Sequence, residues 1–146
     1  MKVLFLDIDG VLNSSATEER VESSGPFKGY IGIDAILLSR FKDWLVGKDL
    51  SVVLSSAWRN HEHGLRELRS KGLSWIDVTP NHGRFEDRGL EIEEWMQGKN
   101  IEAFAILDDN MIMLQEQDSN FVQTDYRIGV TEEDLKKVDK ILKESR

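Results

Sequence analysis

Two carboxylates stand two residues apart in Leu6-Asp7-Ile8-Asp9-Gly10-Val11-Leu12, directly after the apolar run Val3 to Leu6. Side chains at that spacing share one face of a strand, and in a loop beyond its end Gly10 permits the sharp departure that turns both into one pocket. Taken alone, Asp-x-Asp-Gly reads as a plain turn whose acids bond to the backbone. The other strand ends change the balance. Ser55-Ser56 closes a second run, Ser51 to Ser55, and a hydroxyl beside backbone N–H groups at a strand-to-helix junction can hold a phosphate oxygen. Asp108-Asp109 closes a third, Ala103 to Leu107. A phosphoryl group carries close to two negative charges at neutral pH and an attacking carboxylate adds another, so such a site calls for a divalent cation. Oxygen donors from separate strand ends suit magnesium, which prefers octahedral oxygen coordination and keeps several waters.

The elements that must position these groups follow from periodicity. The three apolar runs are short, branched and end in polar residues, which suits buried strands. Ser74 to Val78 and Asn120 to Gln123 are weaker strand candidates. Ile33, Ile36, Leu37, Phe41, Trp44 and Leu45 repeat at helical spacing, as do Ile92, Trp95 and Met96. A last helix carries Leu135, Val138, Ile141 and Leu142 behind a capping box at Thr131-Glu132-Glu133-Asp134. Strands alternating with helices predict a mostly parallel sheet wound on both faces, with ligands outside the carboxyl ends of its strands, where the acids stand. The stretch from Asn13 to Gly32, rich in Ser and Gly, reads as a flap over that end, and Gly83 to Arg88 as a charged connection.

The 146 residues fit one domain over positions 1–146, long enough to bury a core unaided. With no cysteine, disulfides, thiolate metal sites and cysteine nucleophiles are excluded, and a metal must be held by oxygen or histidine. The opening apolar run is too short for a signal-peptide core or a membrane span, so a soluble cytoplasmic protein is expected. A formal charge of -8 disfavours non-specific duplex binding, unless Arg59, Arg84, Arg88 and nearby lysines cluster.

In this order the motifs resemble those of the haloacid dehalogenase (HAD) superfamily. Asp7-Ile8-Asp9-Gly10-Val11 is similar to its first motif, Ser55 or Ser56 to the second, Arg88 to the basic third, with Lys99 and Arg84 as rivals, and Asp108-Asp109 to the acidic fourth. A narrower likeness, to the small HAD domains of Swiss Army Knife RNA repair proteins, rests on residues 6–13, Ser55-Ser56-Ala57-Trp58-Arg59, residues 88–95, Leu107-Asp108-Asp109-Asn110 and the segment Thr124 to Thr131. The resemblance implies a three-layer, Rossmann-like fold without a large cap domain. It also implies a magnesium-dependent phosphatase. Asp7 would attack phosphorus and become an aspartyl-phosphate, while Asp9 protonates the leaving oxygen and then activates water. Relatives that break carbon–halogen bonds generally lack an acid at the position of Asp9. Asp7, the backbone carbonyl of Asp9, Asp108 and Asp109 would hold magnesium, with Ser55 and Arg88 on the phosphoryl group. The narrower likeness implies an end-healing role akin to the phosphatase half of polynucleotide kinase-phosphatases, although a fold assigns no substrate.

Several residues carry two readings. Gly10, Ser56 and Arg59 are substrate-binding candidates, but Arg59 equally suits a salt bridge to a nearby acid, and Asp108-Asp109 also suits a helix N-cap. Trp58, like Trp44, Trp75 and Trp95, reads as packing. His61 and His63 point to nearly opposite sides of a helix, which makes joint ligation poor, and His82 stands apart. Asn13, Ser14, Ser15 and Tyr30 belong to the flap and either face substrate or solvate a loop. The leading expectation is a phosphomonoesterase on a nucleotide, a nucleic-acid end or a small metabolite. The alternatives are a non-catalytic phosphate-binding module and a phosphotransferase.

Overall fold

Residues 1–17 and 32–144 are described by the structure, a computed structural model. Five strands, β1 (Lys2–Leu6), β2 (Ser51–Leu54), β3 (Asp77–Val78), β4 (Ala103–Asp108) and β5 (Phe121–Gln123), form one all-parallel sheet in the order β3-β2-β1-β4-β5. The helices are α1 (Ala35–Leu45), α2 (Glu62–Ser70), α3 (Arg88–Met96) and α4 (Glu132–Lys143). The expected doubly wound sheet is present, and among the described residues there is no large cap. The flap expected from Asn13 to Gly32 lies largely outside the described residues.

Apart from the end residues Lys2, Ser51 and Asp108, the central strands are apolar because both faces are covered. Leu4, Leu6, Val52, Leu54, Ala105 and Leu107 pack with Leu37 and Phe41 of α1 and Leu135 and Val138 of α4. Val3, Phe5, Val53, Phe104 and Ile106 turn to Ile92 and Trp95 of α3. Each Val, Leu, Ile or Phe among them contributes roughly 1.5–3 kcal/mol on full burial. The Phe5 ring meets Trp95 edge-on at 5.6 Å.

The outer strands are shorter than the sequence runs suggested, since Ser74 to Val78 yields pairing only at Asp77–Val78. Helix α1 begins after Asp34, whose carboxylate accepts the N–H groups of Ile36 and Leu37, so Ile33 precedes the helix and Ile36 is 71% exposed. The capping box of α4 is formed: Thr131 Oγ1 accepts the Asp134 N–H at 3.1 Å, and Asp134 Oδ2 accepts the Thr131 N–H at 3.0 Å. Among the described residues no helix is long and apolar enough to cross a membrane.

The strand order reverses between β1 and β4, which pair in register from Lys2↔Ala103 to Leu6↔Leu107. Chain connections leave that junction in opposite directions and open a crevice at the carboxyl ends of the strands.

Candidate active site

Asp7 follows β1 and donates its N–H to the Leu107 carbonyl at 3.0 Å, so it stands beside Asp108, the last residue of β4. Both are buried. Asp109 turns back toward them, and carboxylate oxygens of Asp7, Asp108 and Asp109 lie within 4.8 Å of one another. Arg88 opens α3 and reaches in from the side: its Nη1 donates to Asp108 Oδ2 at 2.9 Å and lies 3.5 Å from Asp7 Oδ1. Its two rivals are elsewhere. Arg84 pairs with Glu86 at the surface, and Lys99 donates to the Trp95 carbonyl at 2.6 Å. Asp108 caps no helix; its Oδ1 accepts the Asn110 N–H at 2.9 Å and turns the chain at the strand end.

Three carboxylates against one guanidinium leave negative charge in surplus. Burial, then the charge of Asp108, hold the Asp7 carboxyl well above the usual range, although Arg88 pulls the other way. Asp109 is pushed up to about 6 by burial and by Asp108. For Arg88, burial lowers the pKa, but Asp7 and Asp108 outweigh it and the net shift is upward. A cluster of hard oxygen donors that repel one another fits a divalent cation of the magnesium or calcium type, since sulfur and imidazole are absent from the set. None of the three histidines joins it.

Asp9 is held apart from that cluster. Its Oδ1 accepts the Trp58 indole N–H at 3.0 Å and the Asn13 side-chain amide at 2.9 Å. With two donors on Oδ1, a proton carried by Asp9 sits on Oδ2. Asn13 also accepts the Gly10 N–H at 2.9 Å and donates to the Gly32 carbonyl at 3.0 Å, which closes the loop after β1. Gly10 has φ +80°, and a Cβ there would fall on the Asp109 carboxylate. Its carbonyl accepts the Thr124 hydroxyl at 2.7 Å. Gly10 thus admits Asp109 to the site, while its own N–H is taken by Asn13 and not offered to a substrate.

A family model described as the HAD domain in Swiss Army Knife RNA repair proteins matches residues 3–135. The chain belongs to this family. Membership supports, at superfamily level, the HAD-type phosphatase-like function that the four motifs implied. Neither curated proteins nor solved structures gave a match.

Within this HAD domain the two serines after β2 part company. Ser56 Oγ accepts the Trp58 N–H at 3.1 Å, starting the 3₁₀ turn Ala57–Asn60. Ser55 Oγ is buried and has no hydrogen-bond partner. A buried hydroxyl left unpaired costs about 1–3 kcal/mol, a cost that a phosphoryl oxygen would offset. Arg59 takes the salt-bridge alternative. Its Nη2 lies 2.8 Å from Glu91 Oε1, both side chains being almost wholly buried, and its Nη1 donates to the Ser55 and Ser56 carbonyls at 2.9 and 2.8 Å. Arg59 therefore clamps the chain segment that presents Ser55.

The remaining candidates have structural partners or fall outside view. Ser14 is buried, its N–H donating to Thr17 Oγ1 at 2.9 Å, whereas Ser15 is exposed and its N–H donates to the Tyr126 carbonyl at 3.0 Å. Tyr30 lies outside the described residues. His82 bonds Glu94 at 2.7 Å and faces Asp87 at 3.5 Å. Sequence reading missed Glu91 and the polar use of Trp58. A buried Trp needs an acceptor for its one donor, and Asp9, in the neighbouring motif, was the signal available.

Trp58→Phe in this HAD domain is expected to lower kcat up to roughly tenfold, because it removes a hydrogen bond that orients Asp9, and such a bond contributes about 0.5–1.5 kcal/mol. KM should move little. An equal loss in Trp44→Phe, whose indole N–H bonds Asp139 far from the motifs, would remove the case for Trp58 positioning Asp9.

Proposed function

We propose that this HAD domain is a magnesium-dependent phosphomonoesterase that works through an aspartyl-phosphate on Asp7. The supporting observation is the convergence of Asp7, Asp108 and Asp109 at the sheet's reversal point, with Asp9 held separately by Trp58 and Asn13. Magnesium would be held by the three carboxylates and the Asp9 backbone carbonyl, and when bound it supplies neutralisation of phosphoryl charge.

A carboxylate oxygen of Asp7 attacks phosphorus in line, the P–O bond to the leaving group breaks, and Asp9 Oδ2 delivers its proton to the departing oxygen. Asp9, now a carboxylate, takes a proton from water as that water attacks the aspartyl-phosphate. Phosphate leaves and both aspartates return to their starting states. The Ser55 hydroxyl and the Arg88 guanidinium hold phosphoryl oxygens, with Arg88 drawing charge from Asp7 as the new bond forms. The substrate class we assign is a nucleotide or a nucleic-acid terminal phosphate, in keeping with the RNA repair setting in the family's description. A site with no large cap among the described residues suits a polymer end.

The test is a magnesium-dependent screen of nucleotides, oligonucleotide 3′- and 5′-phosphates, sugar phosphates and an aryl phosphate. Turnover that EDTA stops, highest on oligonucleotide ends, is the expected result. A clear preference for sugar phosphates or mononucleotides would overturn the nucleic-acid assignment, and binding without turnover of any ester would overturn the enzyme.

The acid cluster also predicts how stability depends on pH. An unfolded Asp titrates near 3.9, whereas Asp109 titrates near about 6 in the fold. Between those values the folded chain keeps a proton that the unfolded chain has lost, so stability without metal falls as pH rises from about 4 to about 6. Asp7 extends the fall in the same direction. His82, raised chiefly by its bond to Glu94, contributes a further fall in the same direction above about pH 6.5. Thermal melts in EDTA should show this decline, with a smaller one in Asp109→Asn. Magnesium should raise Tm more at pH 7.5 than at pH 5. Identical magnesium shifts at the two pH values would contradict the assignment.

A further inference from the structure

Beside the candidate active site lies a cleft of about 330 Å³, lined by Arg59, Asn60, Asn81, Arg84, Phe85 and Arg88. Arg88 belongs to both places, since the same side chain contacts Asp7 and Asp108. The three arginines are thus gathered at one opening of a chain whose formal charge is -8. Their counter-charges differ. Arg59 is matched by buried Glu91, and Arg88 by the carboxylates of the site. Arg84 pairs with Glu86, with the charge of Asp87 also nearby; the pair is exposed on both sides, and such pairs contribute about 0–1 kcal/mol and exchange readily for a better anion. Phosphate is such an anion, because the guanidinium fork binds it bidentately.

Phe85 is 57% exposed and belongs to neither hydrophobic core. The Arg88 guanidinium lies 5.6 Å from its ring centroid. An exposed ring next to cations is a surface on which a planar heterocycle can stack, and Asn60 and Asn81 add exposed amides that donate and accept. The volume is at the lower end for ligand pockets and suits one nucleotide unit.

We propose that this cleft is the leaving-group subsite and takes the nucleotide next to the scissile phosphate, its base on Phe85 and its further phosphate on Arg84. The inference rests on the phosphatase reading of Asp7 and deepens it. The preferred substrate then carries a second phosphate linkage one nucleotide from the phosphoryl group removed.

Two measurements on Arg84→Ala and Phe85→Ala test this. Both side chains are exposed, so folding is not at stake. The first is the ratio of kcat/KM for a terminally phosphorylated dinucleotide to that for phenyl phosphate. The second is equilibrium binding, by calorimetry, of the same dinucleotide with a non-hydrolysable phosphonate terminus. Each variant is expected to lower the ratio about tenfold and to weaken binding by a similar factor, as loss of one stacked base or one phosphate contact would. If the protein hydrolyses phosphate esters but neither the ratio nor the binding changes in either variant, the subsite is overturned and the phosphatase stands. If nothing is hydrolysed but binding weakens in both variants, the subsite stands as a nucleotide site and the phosphatase falls. Absence of both turnover and binding in the unmodified protein overturns both.

Discussion

Asp7→Asn is expected to abolish phosphate ester hydrolysis while making the metal-free protein more stable. Loss of the attacking oxygen should lower kcat by about 10⁴-fold or more, the usual scale for removal of a nucleophile. No phosphorylated protein should be trapped on acid quenching. The gain in stability follows from the same geometry. Asp7 is buried beside Asp108 and Asp109, and burial and the charge of Asp108 raise its pKa well above the usual range, so its charged form costs more in the fold than in the unfolded chain. Asparagine is nearly isosteric, carries no charge, and can donate to a neighbouring carboxylate. In EDTA at pH 7.5 the melting temperature should rise by roughly 3 °C or more. Magnesium should then stabilise the variant less than the unmodified protein. A substitution that left hydrolysis intact would show that Asp7 is not the nucleophile, and a lower Tm in EDTA would show that the three acids do not repel as described.

The second large effect is expected at Arg88. Arg88→Met keeps the apolar stem but removes the guanidinium between Asp7 and Asp108, leaving Asp108 fully buried without its cation. Breaking a buried pair from one side costs about 3–5 kcal/mol. Urea unfolding in EDTA at pH 7.5 should show a loss of that size, shrinking as the pH falls and the carboxylates take up protons. Arg88→Lys should lie between, since it restores charge but not the forked donor. With magnesium present, kcat should fall about 10²–10³-fold in Arg88→Met, as when one oxyanion donor is removed. A stability change within about 0.5 kcal/mol, the range of an ordinary surface substitution, would mean that the Arg88 bridge is not maintained in solution.

The strands that carry the site were legible because burial on both faces writes itself into sequence as an uninterrupted apolar run. β1, β2 and β4 are of this kind, and each ends where its polar residues begin. The outer strands were harder, because β3 and β5 pair over only two and three residues. In α1 the periodicity placed Ile36 in the apolar stripe, whereas the helix turns Leu37, Leu38 and Phe41 inward and leaves Ile36 exposed. Glu91 could not be singled out, since it stands among Glu93 and Glu94 on one helix and only its ion pair with Arg59 distinguishes it.

Residue type and spacing alone determined the chemistry on offer: two acids after one strand, a hydroxyl after the next, paired acids after a third, no thiol, and the family that these motifs resemble. Those are local properties, set by which side chains follow an apolar run. The tertiary structure decided which of them meet. Strand order puts β1 against β4 and so brings Asp7 to Asp108, a contact across about a hundred residues that no local pattern encodes. It set Arg88, rather than Arg84 or Lys99, against the acids, and gave Asp9 to Trp58 and Asn13. It also left Ser55 as the unpaired hydroxyl by using Ser56 as a cap, and sent Arg59 to Glu91. In each case the competing side chains were chemically equivalent in sequence. Burial, and the hydrogen-bond and ion-pair partners within reach at each position, separated them.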